Sequence, residues 1–300
     1  MGHIRIGTCS WTDKPLVASG AFYPPGARSA EAMLRYYASQ FDLVEVDSTY
    51  YGIPLPRNAE AWVQRTPDDF LFDVKAFRLF TLHQTPTLVF SKDIQAELPF
   101  KTRRSLFYAD VPDELREELW RQFREAIQPL VDANKLGVVL LQFPPWVVPS
   151  TAHENHILEC LEHLQDIQVA VEFRQRDWLR GEQLEETLGF LDQHKLALVA
   201  VDEPQGFEST LPPIAAVTAP MSLVRFHGRN AETWEAKGRT SAERFDHWYT
   251  DEEFQEWVPR IEEMAERAEE LHLLMNTNNY NQGPANAKRL ERVLQQERLL

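Results

Sequence analysis

Short apolar runs recur along the chain, separated by stretches of helical periodicity. The runs are His3–Thr8, Asp42–Asp47, Phe70–Ala76, Leu136–Gln142, Gln168–Phe173, Leu196–Asp202, Ser222–Gly228 and Leu271–Asn276. Each is rich in Val, Ile, Leu or Phe and has the length of a strand. Between them, Ser29–Gln40 opens on a Ser cap and keeps Met33, Leu34, Tyr37 and Phe41 on one face. Pro112–Asn134, Gly181–Lys195, Asp251–Glu270 and Pro284–Gln296 read as further amphipathic helices. Strand alternating with helix eight times predicts one α/β domain over residues 1–300, a (β/α)8 barrel of the TIM type. A doubly wound open sheet is the rival, but it needs neither eight units nor a last strand that finds the first. The connections Phe77–Lys135 and Arg229–Glu270 exceed a loop plus a helix. They are read as long insertions after strands 3 and 7, placed at the catalytic mouth or thickening the wall.

Side chains alternate across a strand, so the polar face of each run can be read directly. Glu45 and Asp47 share one face, as do Asp73 and Lys75, Glu172 and Arg174, and Arg225 and His227. In the sixth run the same rule puts Asp202 with Leu198 and Ala200, opposite Val199 and Val201. Helices cover the outer wall of a barrel, so its outward face must be apolar and the polar set is expected inside. Unpaired buried charge is costly, so these groups must pair or meet ligand. Arg5 and Asp73 lie deep and are expected to form structural pairs, whereas Glu45, Glu172, Asp202, Arg225 and His227 lie near the mouth.

Charge changes the picture of the partner. With 31 basic and 46 acidic residues the chain carries −15, which disfavours nucleic acid and anionic membranes at long range. Cys9 and Cys160 allow at most one disulfide, so no disulfide framework is expected. No secretory leader pattern and no stretch of 18 apolar residues occurs, and a cytoplasmic protein is expected.

Words at the strand ends carry a resemblance. They are Ile6-Gly7-Thr8-Cys9-Ser10-Trp11 with Phe22-Tyr23-Pro24, Val44-Glu45-Val46-Asp47-Ser48-Thr49-Tyr50-Tyr51, Val74-Lys75-Ala76 and Leu141-Gln142-Phe143-Pro144-Pro145. Val171-Glu172-Phe173-Arg174 with Trp178, Arg225-Phe226-His227-Gly228-Arg229 and Asn276-Thr277-Asn278-Asn279 follow. In this order, from about residue 3 to 295, they resemble the YecE-like family, domain of unknown function 72. The resemblance implies a TIM-type barrel and supplies no activity. The chain departs from the family pattern at Asp13, at Ser48 and Tyr50, at the split Thr81-Leu82-His83, and at Thr277.

Three chemistries suit the polar set. Acid–base catalysis on a small polar or anionic substrate, as a hydrolase, lyase or isomerase, would use Glu45, Lys75, Glu172, Asp202 and His227. Trp11, Tyr51, Gln142, Arg174, Arg225, Arg229, Asn276 and Asn278 would then bind substrate, the arginines as planar forks for phosphate or carboxylate. Alternatively, Glu45, Glu172, Asp202 and His227 suit a divalent metal in a phosphodiesterase or nuclease acting on nucleic acid, although no local metal motif is present. The third reading is a non-catalytic small-molecule binder. His153 and His156 read as a solvated helix face. Replacing Glu172 or Arg225 by Ala is expected to abolish ligand binding with little change in melting temperature. The sequence does not choose a reaction or an oligomeric state.

Overall fold

The computed structural model describes residues 1–99 and 102–300. Eight parallel strands close into a barrel: β1 (His3–Thr8), β2 (Leu43–Val46), β3 (Leu71–Lys75), β4 (Leu136–Gln142), β5 (Val169–Glu172), β6 (Ala197–Asp202), β7 (Met221–Phe226) and β8 (Glu270–Met275). They run around the wall in chain order, and β8 pairs with β1 over six residues. The open-sheet alternative is therefore out.

Helices cover the outside for the reasons the periodicity suggested. Ala30–Ala38 is capped by Ser29, whose Oγ accepts from Ala32 N at 3.1 Å, and it buries Leu34 and Tyr37. The expected helix Asp251–Glu270 is instead two, Asp251–Gln255 and Val258–Arg267, while Glu270 opens β8. Pro259 has no N–H to offer the preceding turn, so it starts a helix rather than continuing one. Thr151–Leu164, capped by Ser150, was not among the periodic segments. His156 on it is buried rather than solvated, because its Nε2 lies 2.8 Å from Phe80 O.

The two insertions differ. The first, whose residues 100–101 lie outside the described set, carries the antiparallel pair Thr85–Pro86 and Ser105–Leu106 and the helix Asp113–Asp132. That helix packs Leu115, Leu119, Trp120 and Phe123 into the core and thickens the wall. The second carries Ser241–Arg244 and lies over the mouth. Among the described residues no helix is long and apolar enough to cross a membrane.

Register decides which side chains face inward, because partners in a parallel ladder point the same way. Glu45 pairs with Asp73, Gln142 with Glu172, and Leu274 with Arg225, so these residues line the interior. Val201 also pairs with Arg225, and Asp202 pairs with Phe226. The parity expected for β6 is therefore reversed: Val199 and Val201 face inward, and Asp202 faces the helices. That strand is apolar on both faces, so its single carboxylate was a poor guide. Glu203, one residue further, turns inward instead.

Candidate functional site

At the barrel floor, Arg5 reaches Glu270 at 2.5 Å and Asp42 at 3.0 Å, and His272 Nδ1 lies 2.8 Å from Asp73 Oδ2. Burial opposes charge on His272, but the Asp73 carboxylate prevails and holds its pKa up at about 9. These are structural pairs, as the depth of Arg5 and Asp73 suggested.

Above the floor, Arg225 is fully buried between two carboxylates. Its Nε and Nη2 donate to Glu45 at 2.9 and 2.7 Å, and its Nη1 donates to Glu172 at 2.5 Å. Cys9 Sγ accepts from Nη2 at 3.5 Å. Burial raises Glu45 to about 7 against the pull of Arg225 and Lys75. Burial also opposes charge on Glu172, yet Arg174 and Arg225 hold its carboxyl well below the usual range.

Glu172 ties this layer to the mouth. Its Oε1 accepts from Gln142 Nε2 at 2.7 Å and lies 2.8 Å from Arg174 Nε and 3.1 Å from His227 Nε2. Arg174 Nη1 donates to Glu203 Oε2 at 2.8 Å, and the other Glu203 oxygen accepts from Leu211 N at 2.6 Å. Burial raises Glu203 to about 8 against the pull of Arg174. Burial, with Arg174 beside it, lowers His227 to about 3 and leaves its imidazole neutral. Asn276 Nδ2 lies 2.8 Å from His227 Nδ1 and fixes the ring.

Over Gln142 and Arg174 opens a cavity of about 760 Å³. Trp146, Trp234 and Phe245 form apolar walls, Lys237 and Arg244 add positive charge on the side of the second insertion, and Glu208 and Glu235 add negative charge to the same lining. Beside it, Lys75 Nζ donates to Asp47 Oδ1 at 2.8 Å and stands 4.6 Å from the centroid of the Tyr50 ring. Lys75 pairs with Leu140, and Gln142 follows on the same face of β4, so Lys75 lies one pleat below the cavity floor.

Several expected site residues sit elsewhere. Asp202, outside the wall, is gripped by Arg229 at 2.7 Å, Tyr249 at 2.6 Å and Trp257 at 2.5 Å. Arg229 is engaged there and with Glu256, not in the cavity. Trp11 packs edge-on against Trp62 and Phe72 in the layer between sheet and helices. Glu45, Glu172, Arg225 and His227 are enclosed, with no open surface for a substrate. Asn278 donates to Ser241 Oγ at 3.4 Å, and Tyr51 is exposed near Lys75. The donor set for a metal is split, because Arg225 fills the space between Glu45 and Glu172 and Asp202 is outside. Among the described residues no group of three or more His, Cys, Asp or Glu is arranged to hold an ion. Glu203 was missed. Its adjacency to Asp202 was the available signal, but only the ladder register shows which of the two turns in.

A closed parallel barrel with its polar side chains crowded toward the strand C-termini defines a TIM-barrel protein. The chain belongs to the family described as Protein of unknown function DUF72, whose model matches residues 5–299. The motif resemblance is thus borne out. The chain is similar to the UPF0759 protein YunF of Bacillus subtilis (strain 168), with 31% identity over 295 residues covering 97% of this chain and 94% of that protein. Among solved structures it is similar to a DUF72 family protein of Enterococcus faecalis V583, with TM-score 0.78, 26% identity and coverage of 98% and 96%. It is also similar to a DUF72 family protein of Thermotoga maritima MSB8, with TM-score 0.75, 28% identity and coverage of 97% and 99%. None of these descriptions states an activity.

Proposed function

We propose that this protein is an enzyme that binds a small anionic substrate in the cavity over Gln142 and Arg174 and acts on it by proton transfer. The observation that carries the reading is the cavity of about 760 Å³ with a guanidinium in its floor and Lys237 and Arg244 on a wall they share with Glu208 and Glu235. The size suits a small molecule. Arg174 supplies the positive charge of the floor, with its guanidinium nitrogens held by Glu172, Glu203 and His227. Gln142, tethered to Glu172, offers its remaining amide atoms to polar substrate groups. Lys75 with Asp47 is the proton-transferring pair, because Lys75 lies one pleat below the cavity floor and its partner Asp47 keeps part of its surface open. Glu45, Glu172 and Arg225 hold the scaffold and its field rather than touch substrate. Both cysteines are free and buried, which supports a cytoplasmic setting.

The locked Glu45–Arg225–Glu172 triad favours a second reading, a binder without catalysis. The nuclease reading gains no support from the split donor set. A panel of small phosphorylated and carboxylated compounds, followed by calorimetry and by NMR for turnover, tests the choice. Arg174→Ala is expected to weaken binding at least tenfold, and Lys75→Met to abolish turnover while weakening binding only severalfold. Binding without turnover of any panel member leaves the binder reading in place of the enzyme. Unaltered binding by Arg174→Ala removes the cavity from consideration.

A further inference from the structure

The turn after β3 holds a half-buried cation, Arg78. Arg78 Nε is buried without a hydrogen-bond partner. Among the described residues its guanidinium makes no ion pair and instead lies 5.1 Å from the centre of the Tyr50 ring. Lys75 Nζ approaches the same ring at 4.6 Å. Two cations at one ring repel, and the Asp47 carboxylate, bonded to Lys75, is the anion placed against them. A buried donor left unpaired is destabilising, and an acceptor arriving from solution would satisfy Arg78 Nε.

The backbone here is bent to build this geometry. Leu82 sits in the left-handed region at φ 63°, which is costly for a branched side chain. The turn is held by Arg78 N donating to Tyr50 O at 3.1 Å and His83 N donating to Arg78 O at 3.1 Å. It brings the His83 ring to 5.2 Å from Tyr50 and 6.0 Å from Trp146, with Nδ1 3.0 Å from Thr81 Oγ1. Trp146 Nε1 donates to Leu82 O at 3.3 Å, and the same indole walls the large cavity. The turn and the cavity are therefore neighbours across one side chain. Burial lowers His83 to about 3, and Lys75, Arg78 and Arg174 add to that, so three cations act on one neutral ring.

We propose that Arg78, Lys75 and Arg174 form a phosphate-binding subsite, which holds the dianionic group of a phosphorylated substrate whose remainder lies along Trp146 in the cavity. This rests on the reading of that cavity as a small-anion site and names its substrate class. A phosphate dianion supplies enough acceptor oxygens and charge for the Arg78 fork and the Lys75 ammonium together, in the field of Arg174, whereas a carboxylate has two oxygens and one charge. The neutral His83 ring offers one further N–H without adding to the repulsion.

The test uses the full chain at neutral pH with three probes: inorganic phosphate, phenyl phosphate and benzoate. Affinity is measured by calorimetry, and the His83 and Trp146 ring signals are followed by NMR. Phenyl phosphate is expected to bind at least tenfold more tightly than benzoate and to shift both rings, with inorganic phosphate shifting His83. Arg78→Gln should weaken both phosphate probes at least tenfold, with circular dichroism and melting temperature checking the fold. If that variant does not fold, Arg78→Lys, which keeps the charge and loses the fork, should bind at least threefold more weakly. Unchanged phosphate binding in Arg78→Gln or Arg78→Lys, with loss in Arg174→Ala, overturns the subsite and leaves the cavity reading intact. Benzoate binding equal to phenyl phosphate does the same. No binding of any probe overturns both.

Discussion

Arg225 and Arg174 are both arginines on the inner face near the strand ends, yet they do different work. Arg225 is fully enclosed with two carboxylates, and removing it leaves Glu45 buried without its ion pair and Glu172 with Arg174 alone. Such a loss costs about 3–5 kcal/mol. Arg225→Ala is therefore expected to lower stability by that order in urea titration, contrary to the expectation from sequence that only binding would suffer. A variant that unfolds at the wild-type midpoint would return Arg225 to the list of ligand contacts. His272 offers a pH signature. Its folded pKa of about 9 lies above the ordinary histidine value of 6.5. Its stabilising contribution is thus complete below pH 6.5 and is lost as pH rises through about 9. Other buried acids share parts of this range, so the readout is the stability difference between wild type and His272→Gln. That difference should be larger at pH 6.5 than at 9.5, and a flat difference would mean that the Asp73–His272 pair is not charged.

The barrel wall is not uniformly sewn. β1 and β8 match over six residues, whereas β1 and β2 match only at Gly7–Leu43 and Thr8–Val44. A side chain bridges this thin seam. Tyr37 Oη accepts from Thr8 N at 2.9 Å and donates to Leu43 O at 3.0 Å. Gly7 belongs to the same seam, since a Cβ there would come within 2.2 Å of Leu43 O. Tyr37→Phe leaves two buried backbone groups without their partner and is expected to cost about 1–3 kcal/mol. Amide exchange at Thr8 should accelerate more than at β8, as read by hydrogen–deuterium exchange. Equal acceleration around the wall would show that the hydroxyl does not close the barrel. At this scale the sequence was informative about strands, whose apolar runs fall within a few residues of the observed elements. It could not show the seam, because a tyrosine on an amphipathic helix looks like any other apolar position.

Over the whole molecule, the two insertions divide the labour. One builds wall and turn, and the other roofs the cavity. The roof is fastened from outside the barrel by Asp202, which holds Arg229, Tyr249 and Trp257 together. Asp202→Asn weakens the charge-assisted bonds of that clasp without touching the cavity. It is expected to raise hydrogen exchange across residues 229–257 and to weaken ligand binding severalfold. If exchange rises and binding stays unchanged, the roof does not shape the site. Here lies the division between what the chain declares and what folding decides. Eight apolar runs with helices between them determine a parallel barrel, because period and length are local properties. The strand-end motifs likewise identify the family, and the polar faces of most strands announce a charged interior. Which charged groups meet, however, follows from register between strands distant in sequence. Register placed Asp202 outside and Glu203 inside and enclosed Arg225, because pairing in a closed sheet is settled only when every strand has its neighbours.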